Sequence, residues 1–270
     1  MKRLILLLLI LASALLISSC GGRNGGQAED TTDGIVTTDD TSITEAVTTG
    51  APVPTVPHVE LTSRREQIGS SATSFKQLLY PLVTIEGNGS LADTINREIE
   101  AACANLFKRS VPGASAMERD GAEIEFTMYD CKTYFLDGRY LSVAFFANIE
   151  VFGSGGDETP DRAYSTLNVD LQTGEVLYGN ALISDLEKLK SGIASGKFDR
   201  ISDGIEVSDS DIAEALVQYR VDYDMYPPVF FADDGATVCV ELAKLQGGYV
   251  LFKIPNDTTD EYFTDVFSIE

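Results

Sequence analysis

The chain opens on an apolar run. Lys2 and Arg3 precede Leu4 to Ile17, broken only by Ser13, and the small residues Ser18 and Ser19 lead to Cys20 and Gly21. The run is too short to span a bilayer comfortably as a helix with its flanks. Positive start, apolar core and small residues, in that order, mark an export signal over residues 1–19. Residues 22–57 follow, rich in Thr, Gly, Asp and Pro and without an aromatic residue. Such a segment cannot bury enough surface to offset its ordering entropy and is expected to be a tether. A coil of about 35 residues spans roughly 30 Å root-mean-square.

Regular patterning begins near His58. Residues 58–68 and 74–85 read as extended segments, and Gly87-Asn88-Gly89 as a turn. Ser90, with Asp93 three residues on, has the form of a helix N-cap. Leu91, Ile95, Ile99, Ala102 and Leu106 recur at helical spacing up to about Lys108, and Val111-Pro112-Gly113 ends that helix. Two long strands are expected at 122–136 and 139–152, joined by the turn signal Asp137-Gly138. Ile124, Phe126, Met128, Tyr134 and Leu136 alternate along the first, and Leu141, Val143, Phe145 and Ile149 along the second. Residues 153–161 (GSGGDETPD) read as an irregular loop. A strand at 162–170 turns through Gln172-Thr173-Gly174 into 175–178.

Helical patterns follow at 182–193 and 210–220, the second capped by Ser208, Asp209 or Ser210. Pro227-Pro228 breaks it, and strands are expected at 229–231, 237–242 and 249–254, with a turn at Asp233-Asp234-Gly235. The order lacks βαβ alternation. It predicts an α+β fold: an antiparallel sheet with helices packed on one face, over residues 58–270.

Composition narrows the chemistry. The net charge is −22, and removal of Lys2 and Arg3 with the signal makes it −24. Such a surface repels phosphate backbones, so nucleic acid is excluded as a partner and a cationic one is admitted. His58 is the single histidine and lies at the edge of the tether. Ser-His-Asp, Cys-His and histidine–zinc mechanisms therefore have no base or ligand in the folded part. Tryptophan is absent, so a saccharide platform would have to use tyrosines.

The Ile17-Ser18-Ser19-Cys20 end resembles a bacterial lipobox, with Ile in place of the usual Leu. The resemblance implies acylation of the Cys20 thiol, and two or three acyl chains make a lasting membrane anchor. Cys103, Cys131 and Cys239 remain. Three thiols allow one disulfide at most, no CxxC pair exists, and each is expected to act as a small buried apolar residue.

Several stretches, taken in order, resemble a family of bacterial extracytoplasmic domains found in the lysozyme-sensing anti-sigma factor RsiV and in the N-terminal part of the peptidoglycan deacetylase PdaC. They are Tyr80-Pro81, Ile95-Asn96, Gly138 to Val143, Ile149 to Phe152, Gly155-Gly156, and above all Leu167 to Leu177, an N-x-D-x-x-T-G hairpin. Phe230 to Val240 and Gly247 to Pro255 close the pattern. The family often has Gly-Gly-Ala-His in its central loop; here Gly155-Gly156 is followed by Asp157-Glu158, so no role of that histidine carries over. The resemblance implies a surface domain that binds or senses and is not itself an enzyme. With the chain ending at Glu270, no deacetylase domain is expected. With its start outside the cell, neither is direct inhibition of a sigma factor.

Three groups could carry chemistry. Asp203, Glu206, Asp209, Asp211 and Glu214 are oxygen ligands, but their spacing does not fit a calcium loop, and carboxylates at a helix start account for them. Asp157, Glu158 and Asp161 offer the carboxylate pair of a wall hydrolase, yet nothing holds them at a working separation. Tyr219, Tyr223 and Tyr226, with Asp222 and Asp224, could form an interface, or two of the three could fill the core. The expectation is a lipid-anchored, non-catalytic binding or sensing domain at the extracytoplasmic face of a membrane, needing no cofactor or metal. Its partner would be a cationic protein or a cell-wall component. A wall hydrolase and a structural envelope lipoprotein are the alternatives.

Overall fold

A computed structural model describes residues 57–136, 138–153, 158–201, 206–242 and 248–267. The export signal, Cys20, the tether up to Val56, Asp157 and Asp203 lie outside the described residues. Strands β1 (His58–Gln67) and β2 (Phe75–Thr84) pair antiparallel. Helix α1 (Gly89–Ser110) and the short α2 (Ala114–Arg119) then carry the chain back to the end of the sheet where β2 began. In consequence β3 (Glu123–Leu136) joins β2 in parallel, over Phe75–Gln77 against Glu125–Thr127. β4 (Tyr140–Phe152), β5 (Glu158–Asp170) and the two-residue β6 (Val176–Leu177) continue antiparallel, so the first sheet runs β1-β2-β3-β4-β5-β6.

A second sheet of order β7-β10-β9-β8 is antiparallel throughout. It is built from β7 (Asp199–Ile201), β8 (Val229–Ala232), β9 (Gly235–Glu241) and β10 (Tyr249–Pro255). Helices α3 (Leu186–Ala194) and α4 (Asp209–Leu216) accompany it. The α+β class stands. The difference from expectation is that the strands divide into two sheets, each with helices on one face. Among the described residues no helix is long and apolar enough to cross a membrane.

Alternation along the strands sorts the core into three layers. On β4, Leu141, Val143, Phe145, Ala147 and Ile149 face α1, which meets them with Ile95, Ile99, Cys103 and Leu106. Each of the Val, Leu, Ile and Phe side chains among them contributes roughly 1.5–3 kcal/mol. The other face of β4 presents Ala144 and Phe146 to Phe230, Cys239, Tyr249 and Leu251 of the second sheet. Beyond that sheet, Val238, Val240, Phe252 and Ile254 meet Leu189, Ile193, Ile212 and Leu216 of α3 and α4.

A bulge between Met128 and Asp130 changes the facing of β3. Ile124, Phe126, Met128 and Cys131 line the α1 core, whereas Leu136 joins the core beneath α3 and α4. The alternation read across 124–136 as one face is thus two. Other boundaries also moved. Asn88, whose side chain accepts the Leu91 amide, caps α1 instead of Ser90. A 3-10 turn occupies Gly179–Ala181, and Asp185 starts α3 after it. α4 ends at Leu216. β5 begins at Glu158, inside the expected loop, because β4 runs to Phe152 and offers it a full ladder.

Candidate functional site

The residues of the N-x-D-x-x-T-G stretch hold structure. Asn168 Nδ2 donates to the carbonyl of Val229 at 3.0 Å, and Asn168 Oδ1 accepts from Ser142 Oγ at 2.7 Å. Asp170, 5% exposed, accepts two bonds from the Arg139 guanidinium at 2.9 and 3.2 Å and the Gln172 amide at 2.8 Å. Thr173 Oγ1 accepts the Glu175 amide, and the Gly174 amide closes the turn onto the Asp170 carbonyl. Likewise Asn96 of α1 both accepts from and donates to the backbone of Val83. Amides that could have read as ligand-binding groups satisfy buried backbone instead.

The surface left by this bracing is a trench. β5 pairs with β4 over its whole length but with β6 only at Asn168 and Val169. From Glu158 to Leu167 no described strand pairs its outer edge. A hollow of about 600 Å³ lies along that edge. One wall is the last turns of α1, with Asn105, Lys108 and Arg109; the opposite wall is Tyr226 to Val229 with Glu241; Tyr178 closes the end. A smaller hollow of about 280 Å³ continues past Asp161 to Tyr164, Gly248 and Tyr249.

Arg109 and Glu241 border both hollows and pair across them at 2.7 Å. Gly248, at φ +80°, comes so close to the Arg162 carbonyl that a Cβ there would stand 2.1 Å from its oxygen. Tyr164 is buried, and its hydroxyl has no hydrogen-bond partner among the described residues. Burial by apolar neighbours, with Cys239 and Tyr249 adding to it, pushes that phenol well above its ordinary range.

Charge is distributed unevenly. Residues 201–270 carry 15 carboxylates against 3 basic groups, a net of −12, so more than half of the chain's −22 lies in the segment that builds most of the second sheet and α4. The larger hollow reverses this locally: its lining holds Lys108, Arg109 and one carboxylate, Glu241.

The expected site residues are dispersed. Tyr219 and Tyr226 are buried, while Tyr223 is 64% exposed. The Tyr219 hydroxyl accepts the Glu241 amide at 3.0 Å and donates to the Cys239 carbonyl, and Tyr226 forms part of the trench wall. Asp209 pairs with Arg200 at 2.7 Å, and Asp211 completes a capping box with Ser208, so both serve the start of α4. Glu206 precedes that helix, and Glu214 lies within it. Asp161 sits on β5, where its carboxylate accepts the Arg162 amide at 2.8 Å; Glu158 opens the same strand.

Cys103, Cys131 and Cys239 are free and buried. Burial pushes the thiols of Cys103 and Cys131 up to about 12, with Glu100 adding to the first and Cys103 to the second, and holds Cys239 well above the ordinary thiol range. None is a thiolate nucleophile at neutral pH. His58 opens β1, at the opposite edge of the first sheet, 3.0 Å from Glu60. Sequence reasoning missed the trench, because an unpaired edge is a property of the sheet and leaves no residue signature.

No known protein family matches the chain, and no curated protein matches it. Among solved structures it is similar to a DUF3298-family protein of Bacteroides fragilis, at 11% identity over 78% of this chain and 95% of that one, TM-score 0.42. It is similar also to a DUF3298-family protein of Pseudomonas aeruginosa, at 12% identity over 79% and 96%, TM-score 0.41.

Proposed function

We propose that the chain is a lipid-anchored extracytoplasmic domain that binds a polypeptide or cell-wall partner and performs no chemistry of its own. The observation that carries the binding reading is the β5 trench: a hollow of about 600 Å³ with hydrogen-bonding groups at its walls, whose one carboxylate is already engaged by Arg109. General acid–base work on a glycoside needs two carboxylates of differing proton affinity facing one bond; of the two along the trench, Glu241 is in an ion pair with Arg109 and Asp161 accepts the Arg162 amide. The sequence supports the location, through the Lys2-Arg3 start, the run to Ile17 and Cys20 after Ser18-Ser19. The resemblance to extracytoplasmic sensing domains points the same way. The net −12 of residues 201–270 favours a cationic body in the partner, steered by long-range attraction.

The test uses the full chain in detergent micelles, immobilised and exposed to purified cationic wall-lytic enzymes at low and moderate salt. Retention that weakens with salt is the expected result. No retention at low salt removes the cationic partner, and release of soluble fragments from peptidoglycan by the chain alone overturns the non-catalytic reading. Mass spectrometry of the processed N-terminus should find Cys20 acylated; an unmodified Cys20 refutes the anchor.

A further inference from the structure

We infer that the trench takes an extended segment of a partner polypeptide as an added strand on β5, with a carboxylate of that segment placed against Lys108. The inference rests on the binding reading above and says how binding is done.

The open edges differ in how they are treated. The edge of β8 is closed within the chain, because Asn168 donates to the Val229 carbonyl and Ser142 Oγ accepts the Phe231 amide. The edge strand β1 carries Glu60, Arg64, Arg65 and Glu66, the charged dressing that keeps an exposed edge from recruiting another chain. On β5 the charged residues Glu158, Asp161 and Arg162 stop short of Ala163, and the Arg109–Glu241 pair is an exposed strap that an incoming chain can open. The β5 edge from Ala163 to Leu167 bears Ala, Tyr, Ser, Thr and Leu, and no charge. A stretch of five residues offers about 17 Å of backbone donors and acceptors at strand rise. Only an extended peptide matches that repeating pattern, which is the chemistry of strand addition.

The surroundings select the occupant further. The trench floor is a strand edge and its walls are α1 on one side and the segment Tyr226 to Val229 on the other, so an added strand would have a wall on each face. Lys108 is exposed on the α1 wall and has no ion pair among the described residues, while its neighbour Arg109 is held by Glu241. The uncompensated charge is thus positive, opposite to the acidic remainder of the molecule, and calls for a carboxylate.

The experiment titrates the isotope-labelled full chain in detergent micelles with three seven-residue peptides: alternating Thr and Val, the same with a central Asp, and that second peptide N-methylated at alternate amides. Amide exchange is read residue by residue. The expected result is at least tenfold slower exchange confined to β5 and the peptide, tighter binding of the Asp peptide, and no binding of the N-methylated one. Lys108→Ala should erase the preference for Asp while leaving the Thr-Val peptide unaffected.

Equal binding of the N-methylated peptide, protection elsewhere, or no binding of any peptide overturns the inference. So does protection of 163–167 that grows with protein concentration alone, which would make a second copy the occupant. Binding of a wall-lytic enzyme without protection of β5 would sink this mode and leave the binding function intact. Strand addition without enzyme binding would keep this mode and remove the cationic wall-lytic enzyme as the partner.

Discussion

Ser142 Oγ stands 2.7 Å from Asn168 Oδ1, and this pair is the polar clasp between the two sheets. Both side chains are buried, and each also bonds to β8: Ser142 accepts the Phe231 amide at 3.0 Å and Asn168 donates to the Val229 carbonyl at 3.0 Å. Asn168→Ala strands the Val229 carbonyl and removes the acceptor of the Ser142 hydroxyl. A buried group that loses its partner costs about 1–3 kcal/mol, so the variant should lose ~2–4 kcal/mol. Urea unfolding should show a lower midpoint with an unchanged slope; a loss under about 0.5 kcal/mol would refute the clasp.

Gly235 begins β9 at φ +120°, and a Cβ there would stand 2.1 Å from the Ile254 carbonyl oxygen. Gly235→Ala therefore meets rigid backbone in an already disfavoured conformation. The expected cost is about 3 kcal/mol or more, of the size that shifts a domain of this length by several degrees in thermal melting. A melting temperature equal to that of the parent chain would contradict the close approach.

The Arg109–Glu241 pair crosses the trench, but both side chains are substantially exposed, at 50% and 36%. Exposed pairs contribute about 0–1 kcal/mol, so opening this one costs little. Glu241→Gln should leave stability within roughly 1 kcal/mol of the parent. It should also speed capture of a strand peptide by removing the strap, as seen in stopped-flow association. A slower association would mean that the pair shapes the site instead of covering it.

The buried thiols predict a chemical count. At pH 8 the folded chain should react very slowly with a disulfide reagent, because Cys103 and Cys131 ionise only near 12 and burial holds Cys239 well above its ordinary range. In denaturant the processed chain should show three thiols if Cys20 is acylated, and four if it is not. Because these acids are weaker in the folded state than at the unfolded value of 9.0, the stability tied to their protonated form is full below pH 9. It declines as pH rises from 9 towards 12.

On the acid side, Glu66 is held below its ordinary range by its hydrogen bond from Lys76, opposed by partial burial and aided by Arg64. A depressed carboxylate adds stability above its unfolded value of 4.5, and that contribution fades as pH falls below it. Lys76→Gln should therefore be destabilised relative to the parent at pH 7, with the gap narrowing below pH 4. A gap that stays constant across that range would show that Lys76 acts through packing on Phe107 and not through charge.

Much of the fold was legible because it rests on local period. Ile95, Ile99 and Leu106 lie on the buried face of α1 as their spacing requires, and Leu141, Val143, Phe145 and Ile149 lie on one face of β4. The capping of α4 by Ser208 was readable too. The bulge at Tyr129 was not, since one extra residue leaves no mark in a list of apolar positions yet sends Leu136 to another core. The three-residue β7 is exposed throughout and has no pattern to read.

What the sequence alone determined is the class of element at the long periodic stretches and the chemistry of the chain: an acidic, histidine-poor body behind an export-like start, with core faces written at periods of two and 3.6. Tertiary structure alone decided that the strands part into two sheets clasped by Ser142 and Asn168, that Tyr219 is core while Tyr223 is surface, and that no described strand pairs the β5 edge beside Lys108. The reason is physical. Period is set by bonds between near neighbours in the chain. Which strand edge finds a partner depends on contacts among residues more than 60 positions apart, such as Asn168 and Val229, or Ser142 and Phe231, and no local pattern encodes those.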